Sequence, residues 1–140
     1  MVNRDLVAAK LVELSDRIAR AERHCPSSAD ALAADADALD LVSFNLMLAV
    51  QTCADIAGHI IADEGWTAAR TLAEGFRRLA EHAVIDPSTS EALCKAVGLR
   101  NVVVHGYSGV NAGMVYAAAT HGVSDLSAFA REVAAFLAER

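Results

Sequence analysis

At 140 residues the chain has the length of one domain, enough to bury a single hydrophobic core. Alanine, leucine and valine dominate and only two prolines interrupt them, a composition that favours helices. Acidic residues outnumber basic ones, 18 to 12, for a net charge of −6. That balance argues against extensive wrapping of a nucleic-acid backbone, so any nucleic-acid footprint has to be small or supplied locally.

Three scattered cysteines, Cys25, Cys53 and Cys94, form no Cys-x-x-Cys pair, which argues against a disulfide framework or a zinc site. Each is expected as a small buried hydrophobe. The N-terminus is charged and lacks the apolar stretch of a signal peptide. No window reaches the roughly 18 uncharged apolar residues of a membrane span, so a soluble cytoplasmic protein is expected.

The first predicted helix runs from about residue 3 to 24, with Val7, Leu11, Leu14, Ile18 and Ala21 at helical spacing. Cys25-Pro26 breaks it. Residues 29–38 read either as a helical turn or as the lead into the next helix. From about Leu39 to Asp63 a second helix places Leu39, Val42, Leu46, Val50, Cys53, Ala57 and Ile60 on one face. Phe44, Met47, Leu48 and Ile61 widen that face beyond half the circumference. Such a helix is central in a bundle, buried by a second subunit, or both, and a homodimer is expected.

Gly65-Trp66 ends it, with Trp66 expected to fill a gap under the following loop. Thr71 and Glu74 form a capping box that opens a helix through Leu72, Phe76, Leu79 and Ala83. Asp86-Pro87 starts the next, as N-cap and first helical residue, and this helix delivers Arg100. Asn111 caps a last helix through Phe136, with Gly122 inside it as a kink point. Five helices in an antiparallel bundle, an all-α single domain, is the economical assembly.

The chemistry gathers in Leu99-Arg100-Asn101-Val102-Val103-Val104-His105-Gly106-Tyr107. Arg100 and His105 stand about 140° apart on an ideal helix, and converge only if it loosens or ends near His105, where Gly106 follows. Val102, Val103 and Val104 are expected to anchor this stretch partly in the core. RNA carries its own nucleophile, the 2′-OH, so cleavage needs proton transfer and charge neutralisation without a metal. Histidine moves a proton near neutral pH, arginine grips phosphate, and tyrosine stacks on a base or donates to phosphate. The plainer reading is a capped helix end, with Arg100 paired to an acidic neighbour.

The pattern Arg, four residues, His, any residue, Tyr resembles the signature of HepT-like proteins, a branch of the HEPN superfamily of all-helical, metal-independent ribonucleases. The resemblance extends to the stretch Ala54-Asp55-Ile56-Ala57-Gly58-His59-Ile60-Ile61, to Ala73-Glu74-Gly75-Phe76-Arg77-Arg78-Leu79-Ala80, to Gly98-Leu99-Arg100-Asn101 and to Val115-Tyr116. It implies a HEPN-like domain over residues 1–140 and a toxin-type endoribonuclease. It further implies a homodimer whose two motifs line one cleft, with Arg100 and His105 catalytic and Asn101 supporting. Tyr107 matches the tyrosine to which an MntA-type nucleotidyltransferase antitoxin adds AMP groups. RNA is the implied substrate. No cofactor, metal, membrane or DNA partner is expected. Gly106 departs from the family, where larger residues are common. A non-catalytic helical module that binds nucleotide or the nucleotidyltransferase is the alternative.

Gln51, Asp55, His59 and Asp63 follow one another at i+4 steps. Asp55 and His59 alone make a thin metal site. The stripe otherwise reads as solvated or hydrogen-bonded between helices, or as a wall of the active cleft in which Asp55 orients Arg100 or His105. His24, His82 and His121 are expected near helix ends. Arg70, Arg77 and Arg78 read as a solvated face or a phosphate-steering patch.

Overall fold

The computed structural model describes residues 2–105 and 110–139. Helix α1 (Arg4–His24) begins where the Asn3 side chain accepts from the Leu6 N–H and stops before Cys25-Pro26. Ser28 then caps α2 (Ala29–Ala34), and Asp35 caps α3 (Ala36–Glu64). The stretch with two readings is therefore both things: a short helix, and an earlier start to α3. Two closely spaced capping residues split it.

α3 ends at Gly65, whose φ of +73° is a left-handed conformation that glycine adopts without steric cost. Thr71 caps α4 (Leu72–Glu81) as expected, accepting from the Glu74 N–H at 3.1 Å. The box closes one residue early, because the Glu74 carboxylate accepts from the Arg70 N–H. α4 is shorter than its pattern suggests. Ala83 lies beyond it at φ +58°, and the Val84 N–H turns back to the Leu79 carbonyl.

Helix α5 (Pro87–His105) begins at Pro87, as read from the sequence, and carries Arg100 and His105. Asn111 caps α6 (Ala112–Ala117), which passes through a π-helical turn, Ala118–Gly122, into α7 (Val123–Ala138). The irregularity falls where Gly122 suggested a kink, and it takes in His121, which is not at a helix end. Counting α6 to α7 as one interrupted helix gives six helices and no strand among the described residues. The all-α class holds, with one helix more than expected.

α3 packs against every other helix and forms the axis of the bundle. Leu46, Ile56 and Ile60 from α3 meet Leu14 of α1, Phe76 of α4, Leu93 of α5 and Phe129 of α7, all fully buried. Phe76 and Phe129 meet edge to face, with centroids 5.8 Å apart and planes at 84°. Asn45 is buried with its valences met: it donates to the Leu41 carbonyl and accepts from Arg17. By length and composition α3 could cross a membrane, but more than half of its most apolar window is buried by the other helices.

α5 is held at its start by α7. The Glu132 carboxylate accepts from the Asp86 N–H at 2.6 Å and from the buried Thr89 hydroxyl at 2.8 Å. At the other end of α5 the packing thins. Leu99 is buried, but no residue of α5 after it is, and Val104 is 45% exposed. The valine anchor is thus only partial, because one turn of helix cannot direct three consecutive side chains to one face.

Two substitutions test this arrangement by urea denaturation. Phe76→Ala should cost about 3–5 kcal/mol, as truncation of a buried aromatic does. Glu132→Ala should cost about 1–3 kcal/mol, since it strands the Thr89 hydroxyl.

Candidate active site

Arg100 extends from α5 to the polar stripe of α3. Its Nε and Nη2 both donate to Gln51 Oε1, at 3.2 and 2.9 Å, and Nη1 donates to Asn101 Oδ1 at 3.0 Å. Gln51 is fixed in turn, because its Nε2 donates to Asp55 Oδ1 at 3.1 Å. A carboxylate only accepts, so the Gln51 amide nitrogen must face Asp55 and its oxygen must face Arg100. The other Asp55 oxygen lies 3.8 Å from Lys10 Nζ.

The plainer reading of Arg100, an ion pair with an acidic neighbour, does not hold. Its guanidinium is clasped by two neutral amides, and the nearest carboxylate in the chain of bonds acts through Gln51. Three guanidinium N–H groups are engaged, and the other two make no hydrogen bond among the described residues. Of the readings open for the i+4 stripe, the hydrogen-bonded one describes Gln51 and Asp55. Asp63 is used elsewhere, accepting from the Asn3 N–H. Among the described residues no cluster of three or more His, Cys, Asp or Glu is placed to hold a metal.

His105 is the last residue of α5 and is exposed. The helix stays regular up to it, so His105 stands about 140° around and roughly 7.5 Å along from Arg100. One copy alone does not turn both side chains to the same face of this helix. Gly106 and Tyr107 lie outside the described residues.

Arg100 also borders a cleft of about 560 Å³ between the second half of α3, the connection after it and the start of α4. Ala54, Gly58 and Ile61 line one side, Trp66 and Arg70 the other. Trp66 does not simply fill a gap: it stacks on His82 at 3.7 Å with the planes 3° apart. The arginine cluster divides. Arg78 is consumed by Glu74, Glu81 and the Thr67 carbonyl, while Arg70 borders the cleft and Arg77 is exposed elsewhere. A second cavity, about 520 Å³ and walled by Leu46, Val50, Leu99 and Leu126, contains neither Arg100 nor His105.

No cysteine competes for a chemical role. Cys53 is buried, which pushes its thiol far above the usual range and leaves it inert. Cys25 and Cys94 are half-buried, less enclosed than expected, and Cys94 donates to the Ala73 carbonyl.

A family model described as ribonuclease HepT-like matches residues 14–133. The chain belongs to the HepT-like ribonuclease family. It is 33% identical over 90 residues to the mRNA nuclease HepT of Shewanella oneidensis, covering 64% of this chain and 68% of that one. Over 92 residues it is 25% identical to the tRNA nuclease HepT of Aphanizomenon flos-aquae, covering 66% and 63%. Among solved structures it is similar to the tri-AMPylated Shewanella oneidensis HEPN toxin in complex with an MNT antitoxin. That match has a TM-score of 0.86, 27% identity and coverage of 94% and 98%. A toxin–antitoxin structure with AMP-PNP gives a TM-score of 0.87 over the same shares. As a HepT-like protein the chain is a ribonuclease of the toxin–antitoxin type.

One of the sequence readings has Asp55 orienting Arg100 or His105 from behind; the structure puts Gln51 in direct contact with Arg100 and Asp55 behind Gln51. The signal was present in the i+4 spacing: a residue one turn before Asp55 on the same stripe lies between it and the neighbouring helix. In the sequence Arg70 stands out only as part of a basic cluster, and Trp66 gives no signal for the cleft, because a loop brings both to it. If Gln51 holds Arg100, Gln51→Ala should leave the melting temperature nearly unchanged. It should also speed solvent exchange of the Arg100 Nε–H, read by NMR.

Proposed function

We propose that this HepT-like protein is a metal-independent endoribonuclease toxin in which Arg100 and His105 carry the chemistry. The observation that supports it is the amide clasp of Arg100. A guanidinium positioned by neutral groups keeps its full charge for a phosphate, which an ion-paired arginine does not. Arg100 neutralises the scissile phosphate and the charge that builds on it. His105 takes the proton from the 2′-OH as that oxygen attacks phosphorus, and an imidazolium returns a proton to the departing 5′-oxygen. Asn101 and Asp55 support the arginine, Asn101 directly and Asp55 through Gln51.

The separation of Arg100 and His105 on α5 favours a cleft completed by a second copy. Leu41 and Phe44 on α3 border one shallow cleft with Val103 of α5, and Leu41, Phe44 and the adjoining Val104 are exposed at 44%, 50% and 45%, an apolar patch close to His105 in the chain. Ser43 borders the same cleft, and its buried hydroxyl has no hydrogen-bond partner among the described residues. A homodimer joined through this patch covers it.

Control falls to Tyr107, two residues after His105, as the acceptor of AMP from an MntA-type nucleotidyltransferase. Each added AMP brings negative phosphate and bulk to the site, which repels RNA. Both partners would act in the cytoplasm, where the RNA is.

Purified wild-type protein should cut RNA in buffer containing EDTA and halt growth when expressed. Arg100→Ala and His105→Ala should each lower cleavage by about 100-fold or more while the fold survives. Undiminished cutting by folded His105→Ala protein would remove histidine from the mechanism. Phe44→Arg should shift the protein to monomer by sedimentation and lose activity with it. After co-expression with the nucleotidyltransferase, the protein should gain mass in steps of AMP, and Tyr107→Phe should not.

A further inference from the structure

We propose that the 560 Å³ cleft beside Arg100 is a nucleotide subsite for the RNA substrate, with a base against Trp66 and a phosphate between Arg70 and Arg100. This rests on the ribonuclease reading and adds to it a place where the strand is held.

Charge is the first support. The chain carries −6, yet the residues that line this cleft include two arginines and no carboxylate. The Arg70 guanidinium enters no ion pair among the described residues. Arg100 keeps part of its fork uncommitted. Local positive charge of this kind is what an acidic protein needs to hold a polyanion at one point.

The wall is also suited to a base. Trp66 is the single tryptophan of the chain. His82 covers one face of its indole, and the residue is still only half-buried. A base on the other face extends an existing stack, an interaction that tolerates any base.

The frame is fixed before a ligand arrives. The Gly65 and Trp66 N–H groups close back on the Ala62 and Ile61 carbonyls at 3.2 and 3.0 Å. Arg78 Nε donates to the Thr67 carbonyl at 2.9 Å, and the Arg70 N–H donates to Glu74. The opposite side is small: Gly58 lines the cleft, and a Cβ built there meets nothing within 4 Å. The volume falls within the ordinary range for small-ligand sites. Arg100 belongs to both the cleft and the motif, so a ligand here continues into the place of cleavage. That continuity favours a nucleotide within a strand over a free mononucleotide.

Trp66 itself reports on the test. The full-length His105→Ala protein is titrated with a 2′-O-methyl oligoribonucleotide, which cannot be cut, and tryptophan emission and the anisotropy of the labelled strand are followed together. Emission should be quenched in parallel with binding. Gly58→Leu in the same background fills the cleft and replaces a helix glycine by a better helix former, so melting should hold or rise. Affinity should fall by roughly tenfold or more, the worth of one base stack. Arg70→Ala should weaken binding and lower the salt dependence by about one phosphate contact.

Rising anisotropy with unchanged emission, or full affinity in Gly58→Leu, would place RNA elsewhere and overturn the subsite while leaving the nuclease reading intact. AMP binding as tightly as the oligonucleotide would make the cleft a mononucleotide site and overturn the assignment to RNA. If wild-type protein neither binds nor cuts any RNA, the subsite falls together with the nuclease reading.

Discussion

A helix that is apolar around most of its circumference has to be surrounded, and α3 imposes that requirement on the whole chain. Its 29 residues reach through the molecule, and every other helix is placed by packing against it. Where α3 turns a polar side, the covering helix arrives with a polar group of its own. Gln51 and Asp55 face Arg100 and Lys10 for that reason. The helix that builds the core therefore also fixes the position of the Arg100 guanidinium.

The clasp of Arg100 reconciles two facts that otherwise conflict. The molecule as a whole repels polyanions, yet it belongs to a family of ribonucleases. An amide holds a guanidinium as firmly in direction as a carboxylate does but leaves its charge uncancelled. Asp55 lies one hydrogen bond further out and aims Gln51 without meeting the arginine. An acidic protein can thus keep its positive potential confined to a few side chains, and its surface gains no general affinity for nucleic acid.

Much of this was legible in the sequence because it was written in local rules. Thr71 and Asn111 cap the helices that the sequence has them open, and the apolar period of 39–63 marks the central helix. The motif could be read as a unit since its residues are neighbours in the chain. What escaped was set by distance. Trp66 meets His82, and Arg100 meets Gln51 49 residues away, through packing that no spacing announces. The left-handed Ala83 was equally hidden, since there the tertiary fit overrides an unbroken helical pattern, whereas Gly122 marks the place of the π-helical turn.

The Glu132 carboxylate that holds the start of α5 has a consequence in time. It bonds to Asp86 and Thr89 across 46 and 43 residues of chain. A ribosome releases the chain from the N-terminus onward, so the stretch from Arg100 to Tyr107 is finished before Glu132 has been made. The helix that bears it then waits for a distant segment to secure its first turn. A message cut short ahead of that codon yields a chain with the whole motif and an unsecured helix beneath it. Completion of the protein and the anchoring of α5 are tied together by one side chain.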